Sequence, residues 1–228
     1  IRRQRQMCIR DRLYTNIGAN NTAVGSSALY LNSTGVSNTA VGLSALENNT
    51  NSYNAAVGTY ALQANTSGDS NVGMGYQALT ANTTGIDNIG IGRSALATNI
   101  SGSSNTAVGR QALSNNTASD NTAMGYQASI NNTTGTSNAS FGYYALRLTT
   151  TGPGNSAFGW SALNKNTTGS YGTAVGYNAL GNNTTGIRNT AVGFNSLSAN
   201  TTGQYNVAIG GEAGTTSTAG NQSVYVGY

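Results

Sequence analysis

Residues 71–87, NVGMGYQALTANTTGID, are followed at once by residues 88–104, NIGIGRSALATNISGSS. Laid one above the other, the two segments agree in seven columns: Asn, Gly, Gly, Ala, Leu, a second Asn and a third Gly. Continued in both directions, they resolve into one unit, Asn-Thr-Ala-Val-Gly-x-x-Ala-Leu-x-x-Asn-Thr-Thr-Gly-x-x. The unit opens at Asn21, Asn38, Asn54, Asn71, Asn88, Asn105, Asn121, Asn138, Asn155, Gly172, Asn189 and Asn206. Successive openings are 17 residues apart, except for two steps of 16. A fixed period of this length is the mark of a stacked-repeat architecture, in which each unit buries its apolar face only against its neighbours.

Each column states a physical demand. The fifth is glycine in every copy, from Gly25 to Gly210, which calls for positive φ or for close approach of another backbone. The third is alanine in nine copies, with Gly73, Gly90 and Ser140 as exceptions. The fourth is always apolar: Val24, Val41, Val57, Met74, Ile91, Val108, Met124, Phe141, Phe158, Val175, Val192 and Ile209. Strand alternation places the third and fifth on a tight face and the second and fourth on a bulkier one. An Ala-Leu pair follows, with Ser129 and Gly214 replacing the leucine in two copies. It reads as the filler of a thin interior, each leucine contributing roughly 1.5–3 kcal/mol. The Asn-Thr-Thr-Gly segment reads as a turn with asparagine and glycine in left-handed geometry, and stacked asparagines are expected to form amide ladders. Helical i, i+3, i+4 spacing is missing, and glycine and asparagine are poor helix formers. The reading is therefore all-β: a parallel β-solenoid with one coil per 17-residue repeat, two short strands and two turns in each.

Composition narrows the function classes. Charged residues are 7% of the 228, and Gly supplies 31 positions, so Asn, Thr and Ser carry the burden of solubility. The net charge of +4 comes from the N-terminus, where Arg2, Arg3, Arg5, Arg10 and Arg12 hold five of the ten basic residues beside Asp11. Beyond residue 12, Arg93, Arg110, Arg147, Lys165 and Arg188 balance Glu47, Asp69, Asp87, Asp120 and Glu212. No basic patch suited to nucleic acid is expected. Met7-Cys8-Ile9-Arg10-Asp11 matches the translation of a common sequencing-library transposon end. Residues 1–12 are therefore read as an adapter-derived or disordered tail, and the chain as an environmental reading frame truncated at its start. Residues 13–228 form the repeat domain, expected to be truncated at both ends because neither shows a cap. Setting the tail aside removes Cys8, the one cysteine. No apolar stretch of ~20 residues is present, so no membrane contact is expected of this segment.

No catalytic role is expected. The chain has no His, and its few carboxylates are spread along the repeats, whereas acid–base work needs paired groups in reach. Asp69 and Asp87, about one coil apart, read as a solvated turn rather than a cation site, and neither metal nor cofactor is expected. The sixth column is aromatic in its C-terminal half. Tyr76, Tyr126, Tyr143, Trp160, Tyr177 and Phe194, with Tyr144 alongside, are candidate surface-binding residues for a glycan or protein receptor. Cross-rung stacking that stabilises the solenoid is the weightier reading of the same rings. The Asn-Thr-Thr and Asn-Ile-Ser triplets match the glycosylation sequon but arise from turn chemistry.

Asn206-Val207-Ala208-Ile209-Gly210 resembles the head-repeat motif of YadA-like trimeric autotransporter adhesins, and Asn105-Thr106-Ala107-Val108-Gly109 is a close variant. Gly75-Tyr76-Gln77-Ala78-Leu79 is similar to repeats of phage tail fibres. The resemblance covers residues 21–228. It implies a left-handed β-roll, three chains around a common axis, and an extracellular segment of a surface fibre that attaches to a cell or host, either adhesin head or virion tail fibre. YadA-like coils are usually shorter than 17 residues, and the family's neck, stalk and anchor have no counterpart here. The fourth-column residues supply a separate reason to expect a homotrimer, since the roll leaves them no partner and closed symmetry would bury them. Ice binding is a competing reading, with a Thr row at Thr22, Thr39, Thr106, Thr122, Thr173 and Thr190. Ala55, Val72, Ile89, Ala139 and Val207 interrupt it.

Overall fold

A computed structural model describes residues 17–227. The expected tail at 1–12 lies outside the described residues. Among the described residues the architecture is a parallel β-solenoid with no helix. Thirteen three-residue strands, β1 (Thr22–Val24) to β13 (Val224–Val226), form one sheet in strict sequence order. At ~4.8 Å per spacing, the twelve steps span about 58 Å. Each coil carries one strand rather than the two expected. The rest of the coil turns too sharply for a second, yet it keeps its backbone bonds to the coils above and below.

Those corners are built from left-handed residues. In the coil opening at Asn88, Ser94 (φ 55°), Leu96 (φ 51°) and Ser104 (φ 58°) occupy the seventh, ninth and seventeenth columns. The same columns are left-handed in nearly every coil. A non-glycine residue held there costs roughly 1–2 kcal/mol. The offset is axial: Ser94 donates its N–H to Tyr76 O, Leu96 to Ala112 O and Ser104 to Ile86 O. Each corner therefore keeps its hydrogen bond to an adjacent coil.

The sequence reading placed left-handed geometry in the Asn-Thr-Thr-Gly segment, and the structure corrects it. Neither that asparagine nor, in the regular coils, that glycine is left-handed. The glycine is required by packing instead. A Cβ on Gly85 would lie 2.4 Å from Asn82 Oδ1 and 2.4 Å from Gly102 O. The fifth-column glycines meet both demands at once. Gly92 has φ +125°, and a Cβ there would lie 2.6 Å from Gly109 O.

Inside the coil sit the third-column alanines and the leucines, Ala107 and Leu113 among them, with no exposed surface. Each leucine packs beneath the third column of the next coil; a Cβ on Gly73 would meet Leu62 Cγ at 3.1 Å. Two departures from the repeat prove to be matched pairs across this contact. Ser129 replaces a leucine and Ser140 an alanine in the following coil, and their hydroxyls bond at 2.9 Å. Gly214 leaves a gap that Tyr225 fills, since a Cβ on Gly214 would lie 2.9 Å from the tyrosine ring. The apolar core divides into two clusters at the serine pair. Ser129→Leu alone is expected to destabilise the rod by about 1 kcal/mol, because it sets a leucine against the buried Ser140 hydroxyl, which loses its donor and keeps only its long bond to Thr122 O at 3.4 Å. Ser129→Leu combined with Ser140→Ala restores the consensus contact and is expected to stabilise it by about 1 kcal/mol or more. A double-mutant cycle by urea denaturation checks both signs, and additive single effects would exclude the coupling.

The asparagines form two buried ladders. In the first column, Asn88 donates from Nδ2 to Asn71 Oδ1 (3.1 Å) and to Gly102 O (2.8 Å), and its Oδ1 accepts from Asn105 N (3.0 Å). In the twelfth column, Asn82 donates to Asn65 Oδ1 (2.8 Å) and Asn99 to Asn82 Oδ1 (3.0 Å). Three oxygens in this second ladder, Oδ1 of Asn99, Asn132 and Asn200, lack a partner among the described residues. Each faces a break. The coil above Asn99 is one residue short, and Thr149 and Ser217 stand where the coils above Asn132 and Asn200 need an asparagine. The shortening falls between the asparagine and the glycine. Asn49 and Asn116 bond the carbonyl two residues on (Asn51, Ala118), whereas Asn82 bonds the one three residues on. At the C-terminal end, the register sets Val224 beside Val207, so one further, degenerate copy opens at Ser223.

Candidate interaction surfaces

The strand register brings all twelve fourth-column residues into one row along the rod, from Val24 beside Val41 to Val192 beside Ile209. The row continues to Val226, which the sequence reading did not count in this column. None is buried: Met74, Met124 and Phe158 are each 41% exposed and Ile209 is 54% exposed. Phe141 and Phe158 stack within the row at 4.9 Å, 4° from parallel. The second column shares this outward face. There the threonines never run beyond two adjacent rungs, because Ala55, Val72 and Ile89, then Ala139 and Ser156, then Val207 separate the pairs.

The sixth column forms a second ladder. Tyr126 stacks on Tyr143 at 5.1 Å, Trp160 on Tyr177 at 4.7 Å and Tyr177 on Phe194 at 5.3 Å, all within 21° of parallel. Tyr143 and Trp160 are parallel within 2° but offset at 6.3 Å. Tyr144 leans on Tyr143 at 4.1 Å, and its hydroxyl, together with desolvation, holds the Tyr143 phenol above its ordinary range. Tyr76 meets Tyr60 edge-on at 6.3 Å, and Arg93 lies 5.9 Å from the Tyr76 ring and Arg110 5.7 Å from the Tyr126 ring, so two guanidinium groups occupy the rungs between Tyr76 and the main stack. Ring faces in the middle of the ladder are covered by neighbouring rings, and the edges reach solvent. The rings thus stack across rungs and remain half exposed, Trp160 at 45% and Phe194 at 51%.

The sequon asparagines Asn65, Asn82, Asn99, Asn132, Asn183 and Asn200 are at most 2% exposed and donate their amides within the ladder, which closes them to modification. Thirteenth-column threonines are also committed, Thr66 and Thr133 donating to Thr83 O and Thr150 O of the next coils. Asp69 and Asp87 meet through backbone, Asp87 N to Asp69 O at 3.2 Å. Among the described residues no group of three or more His, Cys, Asp or Glu lies together, and no helix is long and apolar enough to cross a membrane. No known protein family, curated protein or solved structure matches the chain. The class is therefore defined by its geometry alone: a parallel β-solenoid rod with an apolar row on one face and an aromatic ladder beside it.

Proposed function

We infer that the chain is a structural and adhesive segment of a trimeric extracellular fibre, a rod whose outer surface attaches to a cell or host, in the manner of the YadA-like heads its repeats resemble. One observation carries this reading. The fourth-column row stays outside the core along the whole rod, although from the second strand to the twelfth the same strands bury their third column. Twelve consecutive apolar rungs in water form a surface larger than a lone soluble chain ordinarily leaves open. Three copies turned about the rod axis cover it by closed symmetry, and the aromatic ladder and the turns remain for contact with a receptor. No reaction chemistry forms part of this reading.

Light scattering on the chain is expected to give three times the monomer mass. Met124→Lys tests the seam directly. Because Met124 already points outward, a lone rod tolerates the charge at within about 0.5 kcal/mol. At a closed apolar seam, three lysines face one another, and the assembly is expected to fall to monomers at micromolar concentration. A wild-type chain that runs as a monomer, or an assembly that Met124→Lys leaves intact, removes the seam and the fibre reading with it.

A further inference from the structure

Beside the aromatic ladder, an open groove of about 440 Å³ runs between Trp160 and the turn that carries Arg147 and Lys165. Its lining holds two of the five basic residues found beyond residue 12 and no carboxylate. Lys165 is exposed, and among the described residues its ammonium has no hydrogen-bond partner. Arg147 is preset: its Cζ lies 4.6 Å from the Tyr144 ring centroid and its Nε donates to Gln127 Oε1 at 3.3 Å, leaving the terminal nitrogens to a ligand. Three amides complete the lining, and each has its nitrogen committed: Asn164 Nδ2 donates to Ser161 Oγ, Asn178 Nδ2 to Asn195 Oδ1 and Asn182 Nδ2 to Ser198 O. Their carbonyl oxygens are left as acceptors. Gly181, without a side chain, makes room for the Asn178 amide, since a Cβ there would lie 1.9 Å from Asn178 Oδ1.

We propose that this groove binds an acidic oligosaccharide. Its two cations pair with a carboxylate or sulfate, Arg147 by its planar fork and Lys165 as a point charge. The asparagine carbonyls accept from sugar hydroxyls, and the Trp160 edge with the Leu148 side chain packs against the apolar side of the ring. The proposal deepens the attachment reading by naming the ligand class, and rests on that reading only for its biological setting, since every lining residue belongs to one chain.

Trp160 is the one tryptophan, so its fluorescence reports the groove. The full chain is titrated with a heparin-derived hexasaccharide (sulfate), a hexagalacturonate (carboxylate) and maltohexaose (neutral). At least one anionic hexamer is expected to give a saturable change, weakened by added salt, with the neutral sugar at least tenfold weaker; which acid binds tells sulfate from carboxylate. Arg147→Gln with Lys165→Gln is expected to weaken binding at least tenfold, and Arg188→Gln, elsewhere on the rod, to leave it unchanged. Equal affinity for maltohexaose, an equal loss in Arg188→Gln, an unaffected double variant, or no saturable change with either acid overturns the proposal. Light scattering on the same samples reads the assembly separately, so failure of the groove and failure of the fibre reading are told apart.

Discussion

Gly109→Ala is expected to lower the stability of the rod by about 4 kcal/mol or more, a loss reserved for substitutions with a definite steric cause. Gly109 stands at φ +130°, a region that alanine enters only under strain. The new Cβ would lie 2.5 Å from Gly125 O and 2.8 Å from Gly125 C, both backbone atoms of the next coil. A flexible side chain can swing aside, but a backbone strand held in register on both sides cannot. Relief therefore requires coils six and seven to part, which breaks the axial bonds of both. Because each coil touches only its neighbours, the damage is expected to localise, with protease cleavage near residue 109. Thr168→Ala, at an exposed turn, serves as the control and is expected to stay within about 0.5 kcal/mol. Urea midpoints decide the matter. If Gly109→Ala falls within 1 kcal/mol of wild type, coil-to-coil contact at this column is looser than the geometry states.

Asn88→Asp carries the second large effect, and it changes no atom's position. Asn88 has no exposed surface, and its Nδ2 faces two acceptors, Asn71 Oδ1 and Gly102 O. An oxygen in place of that nitrogen sets a buried carboxylate oxygen against both acceptors with no donor of its own, while the other oxygen keeps the Asn105 donors, at about 3–5 kcal/mol at pH 7. The sign of the pH dependence follows. Burial and neighbouring acceptors raise the folded pKa of the new Asp above its unfolded value of about 3.9. The charge penalty is absent below that value, grows as pH rises through the window between the two pKa values, and is complete above the folded one. Protonated Asp can also donate one O–H along the ladder. The variant is therefore expected to recover much of the loss near pH 3. A constant difference from wild type between pH 3 and pH 7 would show that the ladder position tolerates an ion.

The fold was legible because the repeat writes each structural demand into a column. The obligatory fifth glycine reported a close backbone approach, the alanine column an inward face, and the leucine column a thin core; all three stand in the structure. The reading failed where one residue type serves two purposes. Asparagine is common both in left-handed turns and in amide ladders, and only the coil's path shows that Asn82 lies inside the rod while Ser94, Leu96 and Ser104 turn the corners. Leucine in left-handed geometry has no propensity signal at all, because the axial bond that compensates it comes from another coil. The exceptions Ser129 and Ser140, eleven residues apart, looked unrelated until stacking made them neighbours. The groove at Trp160 was likewise invisible. Arg147, Lys165 and Asn182 belong to three successive coils, and the chain's order says nothing of their shared rim.

By itself, the sequence determined the period, the identity of each column and which side of the strand faces inward, since these follow from side-chain size recurring at a fixed interval. Tertiary structure alone decided how the corners are turned, where the two short coils lose their residue, which polar side chains are buried, and which charges share a groove. The physical reason is that a solenoid's contacts run between residues about 17 apart. A column's membership is local information, but what a side chain touches across the axis depends on the path of the coil that stacks upon it.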